Sequence, residues 1–327
     1  MRILNSAEVA QLLDRPSCID AVEEAFCARG AGRPATSASL GLPLDGGTLH
    51  AKLARLDRAR PYVAAKINAN LPRNPTEKGL PTIQGVLVLM DAEAGVPLAI
   101  MDSAAITTLR TAATSAVAAR YLALPDASRA AFIGCGVQAR AHLSALRAVR
   151  PITHAFAVDS RRTAAEQFCE YALDEHGVDC ALPASLREAT RNSQIIVTTT
   201  PSERPVLHRD DVAAGAFIAA VGADNEHKQE IDPHLLAAAA VVVDDLEQCA
   251  HGGDLRHALA ALVMQLADVR GSLDQVVAGT RYGRRSVDEI IVFDSTGVAI
   301  EDVAAAALVF ERASVGGVGV EMALAGR

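Results

Sequence analysis

The stretch Arg129-Ala-Ala-Phe-Ile-Gly-Cys-Gly-Val-Gln-Ala-Arg140 decides the fold of this chain. A short apolar run ends in a glycine turn, and a run of helix-forming residues follows it. Strand, tight glycine turn and helix, in this order, begin a dinucleotide-binding unit. Gly134 allows the sharp turn, Gly136 lets the backbone approach a pyrophosphate, and Ala139 lets the helix pack closely on the sheet. The positive end of the helix dipole would then face the phosphates.

The continuation of the chain strengthens this interpretation. Residues 154–158 predict a second strand, and Asp159 follows it, 20 residues after Ala139. A carboxylate at this spacing binds the ribose hydroxyls of NAD. Arg161 and Arg162 follow at once and are able to hold the 2′-phosphate of NADP, so NAD is favoured and NADP stays open. A glycine turn with a purely structural role is the alternative.

Composition and charge argue against several classes of function. The 327 residues carry a formal net charge of −8, include no Trp, and contain no basic run longer than two residues. This composition argues against a surface that binds nucleic acid or anionic membranes. The longest apolar run, residues 235–243, is too short to cross a bilayer, and the first residues lack a signal-peptide core. We therefore predict a cytoplasmic protein.

The cysteines and histidines give no clear site of their own. None of the six cysteines is spaced as C-x-x-C, which favours free thiols in a reducing compartment. Cys135 lies inside the glycine turn, where a small residue is required, and is interpreted as a steric choice. His251, Asp254 and His257 turn progressively round a helix without a further ligand, so no metal is predicted.

The amino-terminal part of the chain predicts a mixed α+β domain. Helices are expected over residues 6–13 and 17–29, with Ser6 and Ser17 as N-caps. Runs with a period of two, separated by turn signals, predict strands over residues 63–69, 83–90 and 96–101. The last two of these strands are expected to form a hairpin.

The rest of the chain alternates between strands and helices. A helix over residues 103–124 leads into strands predicted over residues 130–133, 154–158, 194–199, 216–221, 240–244 and 289–294. A helix over residues 298–313 follows. Such alternation is typical of a parallel sheet covered on both faces. We predict an α/β protein with a doubly wound, Rossmann-type domain over residues 123–302 and an α+β domain over residues 1–122, completed by a C-terminal helix within residues 303–327.

Polar residues follow several predicted strands, where ligands bind in open α/β sheets. These segments are Thr198-Thr199-Thr200, Gly222-Ala223-Asp224 and Asp294-Ser295. We expect Asp224 to transfer a proton, because a carboxylate in a closed, partly dry cleft has a raised pKa and acts as a general acid or base. An ordinary loop or a helix cap is the alternative.

Two cations of the first domain are candidates for binding a substrate carboxylate. Lys66 lies in an otherwise apolar strand and must find water or an anion. Arg110 lies in a helix among small residues, where a guanidinium can clamp a carboxylate with two hydrogen bonds. The alternatives are a structural ion pair for Lys66 and an interdomain or intersubunit salt bridge for Arg110.

Four motifs in the same order resemble the ornithine cyclodeaminase/μ-crystallin family. They are the segments 134–139, 101–113, 222–232 and 293–302, the last reading Phe-Asp-Ser-Thr-Gly-Val-Ala-Ile-Glu-Asp. The resemblance implies a homodimer with a Rossmann domain and a substrate-binding and dimerisation domain. It also implies hydride transfer between a nicotinamide and the α-carbon of a small amino or imino acid. Members include ornithine cyclodeaminases, alanine dehydrogenases, cyclic ketimine reductases and μ-crystallins that bind NADPH.

The resemblance also assigns roles to individual residues. It gives Lys66 and Arg110 to the substrate carboxylate, makes Asp224 the catalytic acid or base, and places at or beside the nucleotide Thr111, Gly136, Val137, Gln138, Asp159, Lys228 and Ser295. To these we add Lys66 as a second catalytic candidate and, as further candidates for cofactor binding, Arg110, Gly134, Ser160, Arg161, Thr199 and Gly222.

Two positions depart from the family pattern. The family's further substrate-binding arginine falls near Ser37, where the nearest arginine is Arg33, and its Met-Pro segment is replaced by Lys52-Leu53. The acid that cyclodeaminases use for the ornithine side chain aligns with His50. These departures favour an imine reductase or amino-acid dehydrogenase. True ornithine cyclodeaminase activity and μ-crystallin-like binding without turnover stay as alternatives.

Overall fold

The structure, a computed structural model, describes residues 1–32 and 37–324, which form two compact units. The first unit consists of Met1–Arg110 and Val298–Arg327, and the second of Thr111–Gly297. The sequence predicted boundaries at 122/123 and 302/303, and both differ from the division at 110/111 and 297/298. The first one differs because the chain passes from one unit to the next inside a continuous helix, Ser103–Leu122, so no break in periodicity marks it.

The elements of the described residues are as follows. In chain order the strands are β1 Arg2–Leu4, β2 Ser37–Leu44, β3 Gly47–Leu56, β4 Tyr62–Asn70, β5 Ile83–Asp91, β6 Pro97–Asp102, β7 Arg129–Ile133, β8 His154–Val158, β9 Asp179–Ala181, β10 Ile195–Thr198, β11 Glu203–Leu207, β12 Phe217–Ala220, β13 Gln229–Ile231, β14 Ala240–Val243, β15 Gly271–Ser272, β16 Ile291–Asp294 and β17 Val320–Glu321. The helices are α1 Ser6–Leu12, α2 Arg15–Gly30, α3 Asn74–Glu77, α4 Ser103–Leu122, α5 Val137–Arg147, α6 Arg162–His176, α7 Leu186–Arg191, α8 Pro233–Ala238, α9 Leu246–Gly252, α10 Asp254–Ala260, α11 Leu273–Val277 and α12 Ala299–Gly316.

The first unit is built on a mixed sheet with the order β17-β1-β6-β5-β4-β3-β2. Strands β2 to β6 form an antiparallel meander, and β1 pairs in parallel with β6. Helix α12 packs against β3, β4 and α2. Side chains along β4 alternate between the two faces, so Tyr62, Ala64 and Lys66 are buried while Ile67 is exposed. The strands predicted over residues 63–69, 83–90 and 96–101, and the hairpin, are confirmed.

The N-caps predicted for the first two helices were wrong by a few residues. The side chain of Asn5, not of Ser6, accepts a hydrogen bond from the backbone N–H of Glu8. The Glu8 carboxylate in turn accepts one from the backbone N–H of Asn5. Asp14, not Ser17, caps α2 by accepting the N–H of Ser17. Carboxylate and amide oxygens compete well with a serine hydroxyl for this role, and in both cases one lay just upstream.

The second unit contains a sheet with the order β15-β14-β16-β12-β10-β7-β8-β9, in which every neighbouring pair is parallel. The part β9-β8-β7-β10-β12 has the 3-2-1-4-5 order of a Rossmann fold, with the reversal of direction beside β7. The predicted doubly wound, Rossmann-type sheet is confirmed. Strands β10, β12 and β16 are buried along their whole length, as expected for a parallel sheet covered on both faces.

The short strands β9 and β15 at the two edges of this sheet, and β1 in the first unit, were not predicted. Two or three residues are too few to show a period. Across residues 1–32 and 37–324, none of the helices has the length and apolar character needed to cross a membrane.

Candidate functional site

The glycine turn follows β7 in the second unit, at the carboxyl edge of the sheet. Gly134 has φ +87°, and a Cβ atom there would lie 2.9 Å from the carbonyl oxygen of Thr199. The Thr199 hydroxyl in turn donates to the carbonyl oxygen of Gly134 at 2.9 Å. Gly136 forms the N-cap of α5, and a Cβ atom at this position would meet nothing within 4 Å. The turn is therefore closed against β10 and open at Gly136, which fits the approach of a pyrophosphate to the helix N-terminus.

Asp159 follows β8 and lies against this turn. Its Oδ2 accepts the backbone N–H of Cys135 at 2.8 Å, and its Oδ1 accepts the N–H of Arg161 at 2.8 Å. The carboxylate is thus fixed beside the glycine turn, where ribose hydroxyls are bound in this fold. Arg161 is largely exposed next to it, so the structure leaves room for a 2′-phosphate contact as well. Burial raises the pKa of the Cys135 thiol to about 12, which fits a steric role and not a nucleophile.

Other predicted nucleotide residues lie at the same edge of the second unit. Ser295, directly after β16, donates from Oγ to Asp244 Oδ2 at 2.9 Å, and Gly297 N donates to the same oxygen at 2.6 Å. Val137 and Gln138 form the first turn of α5, while Ser160 lies between Asp159 and Arg161. The nucleotide contacts of these residues, and of Thr111, stay predictions.

Asp224 does not lie in the closed, dry environment predicted from the sequence. It is exposed, and its Oδ1 accepts a hydrogen bond from Lys228 Nζ at 2.7 Å. The loop after β12 and the approach to β13 bring the two residues together. The contact with Lys228 fixes the position of the Asp224 carboxylate in this loop. Its catalytic role stays a prediction.

The first unit contains a cluster of charged side chains, which we call the anion cluster: the buried Lys66, Arg110, Glu301 and Asp302 and the half-buried Lys52. Asp302, in α12, lies 2.8 Å from Lys66 Nζ and 2.9 Å from Arg110 Nε. Arg110 also contacts Glu301 through its NH1 group. Lys52 lies opposite Lys66 in the β3–β4 register, which places both on one face of the sheet. The cluster therefore has three cationic and two anionic side chains.

The structural ion pair considered for Lys66 is present, and it defines the electrostatics of the cluster. Burial lowers the pKa of Lys66 to about 7, against the attraction of Asp302 and with the repulsion of Arg110 and Lys52. Burial opposes the ionisation of Asp302, yet Lys66 and Arg110 hold the pKa of this carboxyl below its usual value.

The departures noted in the sequence lie on β2 and β3. His50 pairs with Asn68 and faces the same side of the sheet as Lys52. Ser37 begins β2, which is an exposed edge strand of this sheet. Arg33 lies outside the described residues. Sequence reasoning missed Lys52, Glu301 and Asp302 because a lysine in a period-two run and two acids at a helix start are ordinary patterns. The β3–β4 register brings Lys52 to Lys66, while α12 brings Asp302 to Lys66 and Glu301 to Arg110.

No group of three or more His, Cys, Asp or Glu side chains within residues 1–32 and 37–324 is arranged to hold a metal ion. The Rossmann sheet, the glycine turn and the acid after β8 define a dinucleotide-binding protein. The chain belongs to the ornithine cyclodeaminase/mu-crystallin family, whose model matches residues 1–317.

Known members support this assignment. An alanine dehydrogenase of Archaeoglobus fulgidus is 42% identical over 311 residues, covering 95% of this chain and 94% of the relative. An archaeal alanine dehydrogenase dimer with bound NAD superposes with a TM-score of 0.94 at 41% identity, covering 99% of both chains. A Δ1-pyrroline-2-carboxylate reductase of Thermococcus litoralis, in complex with NADH and L-proline, gives a TM-score of 0.95 at 32% identity, covering 98% of this chain and 100% of the relative.

Proposed function

We propose that this protein is an NAD(H)-dependent oxidoreductase that transfers a hydride at the α-carbon of a small amino or imino acid. The anion cluster carries the proposal. It brings the buried cations Lys66 and Arg110 together on Asp302, with Lys52 on the same face of the sheet, and cations held in this way are suited to bind a substrate carboxylate. The relatives described as alanine dehydrogenase and Δ1-pyrroline-2-carboxylate reductase act on molecules in which a carboxylate adjoins the reacting carbon.

Each group has a defined part in the reductive direction. Lys66 and Arg110 hold the substrate carboxylate, while Asp302 and Glu301 keep their ammonium and guanidinium groups oriented. NADH, when bound, supplies the hydride that reduces the C=N bond. Asp224, paired with Lys228, is the proton carrier for the substrate nitrogen. Imine, NADH and one proton are thereby converted to amine and NAD⁺.

The cofactor edge supports NAD as the preferred dinucleotide. Asp159 is fixed by two backbone N–H groups beside the glycine turn, and its charge would repel a 2′-phosphate. Arg161 keeps NADP as the alternative cofactor.

Two other functions within the family are less well supported. An ornithine cyclodeaminase needs an acid for the distal amine, and His50 stands where that acid is expected. A binding protein without turnover has no need of the Asp224–Lys228 pair.

Free thiols and a nicotinamide cofactor favour the cytoplasm as the compartment of this protein.

We further propose that the protein is a homodimer. Five large aliphatic side chains on one face of the first unit's sheet are between 46% and 59% exposed: Leu40, Leu42, Leu53, Ile67 and Val86. The strand registers place all of them on the face opposite the anion cluster. A continuous apolar face of this kind marks an interface, and a second copy fits because the similar archaeal alanine dehydrogenase is a dimer.

A substrate panel followed at 340 nm tests the proposed activity. NADH should be consumed with a cyclic ketimine acid or with pyruvate plus ammonia. With NAD and ornithine, a cyclodeaminase would instead release ammonia without net NADH formation. If wild-type protein binds NADH but turns over nothing in the panel, the binding-protein alternative replaces the enzyme.

A further inference from the structure

Glu230, in the short strand β13, is a fully buried carboxylate that the reaction above does not use. Its Oε2 accepts hydrogen bonds from Thr198 Oγ1 at 2.6 Å and from Gly222 N at 2.7 Å. Its Oε1 accepts one from Thr200 N at 2.6 Å, and the Thr200 hydroxyl is a further partner. A carboxylate has about four lone-pair sites, so donors fill the accepting capacity of this group.

These donors come from the ends of two neighbouring strands of the Rossmann sheet. Thr198 ends β10, and Gly222 follows the end of β12, which pairs in parallel with β10. A Cβ atom at Gly222 would lie 2.5 Å from Glu230 Cδ, so only glycine allows the carboxylate this close. Glu230 is therefore a bridge between two loops at the carboxyl edge of the sheet.

Each of these loops continues directly to a residue with an assigned role. Thr199 lies between the two threonines bound by Glu230, and it contacts the glycine turn through its hydrogen bond to Gly134 O. In the other loop, Gly222 precedes Asp224 by two residues. The buried carboxylate of Glu230 is thus hydrogen-bonded to the loop that contacts the glycine turn and to the loop that contains Asp224.

The backbone of Glu230 is itself held in place. Its N–H and that of Ile231 donate to Asp254 Oδ1 at 2.8 and 2.9 Å. The N–H of Asp254 donates in turn to Asp294 Oδ1 at 3.2 Å, at the end of β16. Buried hydrogen bonds of this kind favour one geometry, because breaking them leaves buried N–H groups unpaired.

We infer that Glu230 is a positioning residue that sets the geometry of the dinucleotide site and of the Asp224 loop through its ionised side chain. The inference rests on the proposed function, since it assumes that these loops receive NAD(H). It adds a role for a residue that touches neither the cofactor nor the substrate.

The charge of Glu230 gives the inference a pH signature. Burial raises the pKa of Glu230, so this group takes up a proton at a higher pH than an exposed glutamate. Protonation of Glu230 removes one of its accepting sites, so the NADH affinity should fall as the pH is lowered. Asp254 and Asp294 face the same region and also have raised pKa values, so the comparison with a variant isolates the part of Glu230.

The test is NADH binding by fluorescence titration from pH 5 to pH 8, on the full chain, for wild type and Glu230→Gln. We expect Glu230→Gln to bind NADH about 10- to 100-fold more weakly at pH 8. The substitution removes a charged acceptor and places an amide NH₂ group among the N–H donors of Thr200 and Gly222. The difference between the two proteins should shrink as the pH falls. Thr198→Val, which removes one donor and leaves the carboxylate, should weaken binding about threefold to tenfold.

Glu289→Gln is the matched control. Glu289 is a half-buried carboxylate of the same unit, paired with Arg270 at 2.7 Å and located before β16, at the opposite edge of the sheet. It should change the melting temperature and leave NADH affinity unchanged. If Glu230→Gln and Thr198→Val both fold and bind NADH like wild type at every pH, the inference is overturned while the proposed function stands. If wild type itself fails to bind NADH, the proposed function fails first.

Discussion

Replacing Lys66 with methionine tests how the anion cluster binds a carboxylate. The substitution keeps the length of the side chain and removes its charge, and Arg110 retains Asp302 and Glu301 as partners. Because the pKa of Lys66 is lowered to about 7, roughly half of the wild-type molecules carry an ammonium there at pH 7. A hydrogen bond to a charged group contributes about 1.5–3 kcal/mol, so the KM for the carboxylate substrate should rise about 10- to 150-fold at pH 6.

The pH dependence makes this prediction specific. In wild type the KM should be flat below pH 6 and rise above pH 7, as the ammonium is lost. In Lys66→Met it should be high and flat, so that the two proteins converge near pH 9. Lys78→Met, which changes an exposed lysine of the same unit, is the control. A wild-type KM without this rise, or a Lys66→Met KM equal to wild type at pH 6, would refute the assignment of Lys66 to the carboxylate.

Stability gives an independent check on the same residue. The folded pKa of Lys66 is depressed, so between pH 7 and about 10 the unfolded chain holds a proton that the folded chain has lost. The free energy of unfolding should therefore rise with pH in this window for wild type. The Lys66→Met variant should lack this contribution, as measured by urea unfolding at several pH values.

Three further substitutions test other parts of the account. Gly134→Ala should weaken NADH binding and lower the melting temperature. The left-handed φ costs an alanine about 1–2 kcal/mol, and its Cβ would lie 2.9 Å from Thr199 O. NADH titration measures the affinity, and calorimetry measures the melting temperature. Asp159→Ala should weaken NADH binding about tenfold or more but spare NADPH, and equal losses for both cofactors would contradict the ribose role. If the protein is the homodimer proposed above, Ile67→Glu should convert it to a monomer in analytical ultracentrifugation, because the substitution places a charge on the apolar face. Lys78→Glu should leave the oligomeric state unchanged.

The Rossmann domain was predictable from the sequence because its signals are local. The glycine turn, the acid 20 residues after Ala139 and the buried apolar runs each depend on a few consecutive residues. Parallel strands buried on both faces show as continuous apolar runs, and β10, β12 and β16 were found to within two residues. The structure adds the φ of Gly134 and the contact of Asp159 with the turn.

The charge networks were not predictable, because they depend on strand register and long-range contacts. Lys52 meets Lys66 only through the β3–β4 pairing, and Asp302 reaches Lys66 from a helix 236 residues later in the chain. Glu230 reads in the sequence as one acid in a polar segment, and nothing local shows that it accepts bonds from two other loops. The predicted environment of Asp224 was wrong for a related reason, because its exposure and its ion pair with Lys228 depend on the conformation of the loop.

The most direct test of the central claim is the fate of the hydride. NADH carrying deuterium at the transferred position would be incubated with a cyclic ketimine acid or with pyruvate plus ammonia, and the amino acid product analysed by NMR and mass spectrometry. The account predicts NADH consumption with one deuterium at the α-carbon of the product, and loss of this turnover in Asp224→Asn with NADH binding retained. Products without deuterium at the α-carbon, or no NADH consumption by a protein that binds NADH, would contradict it.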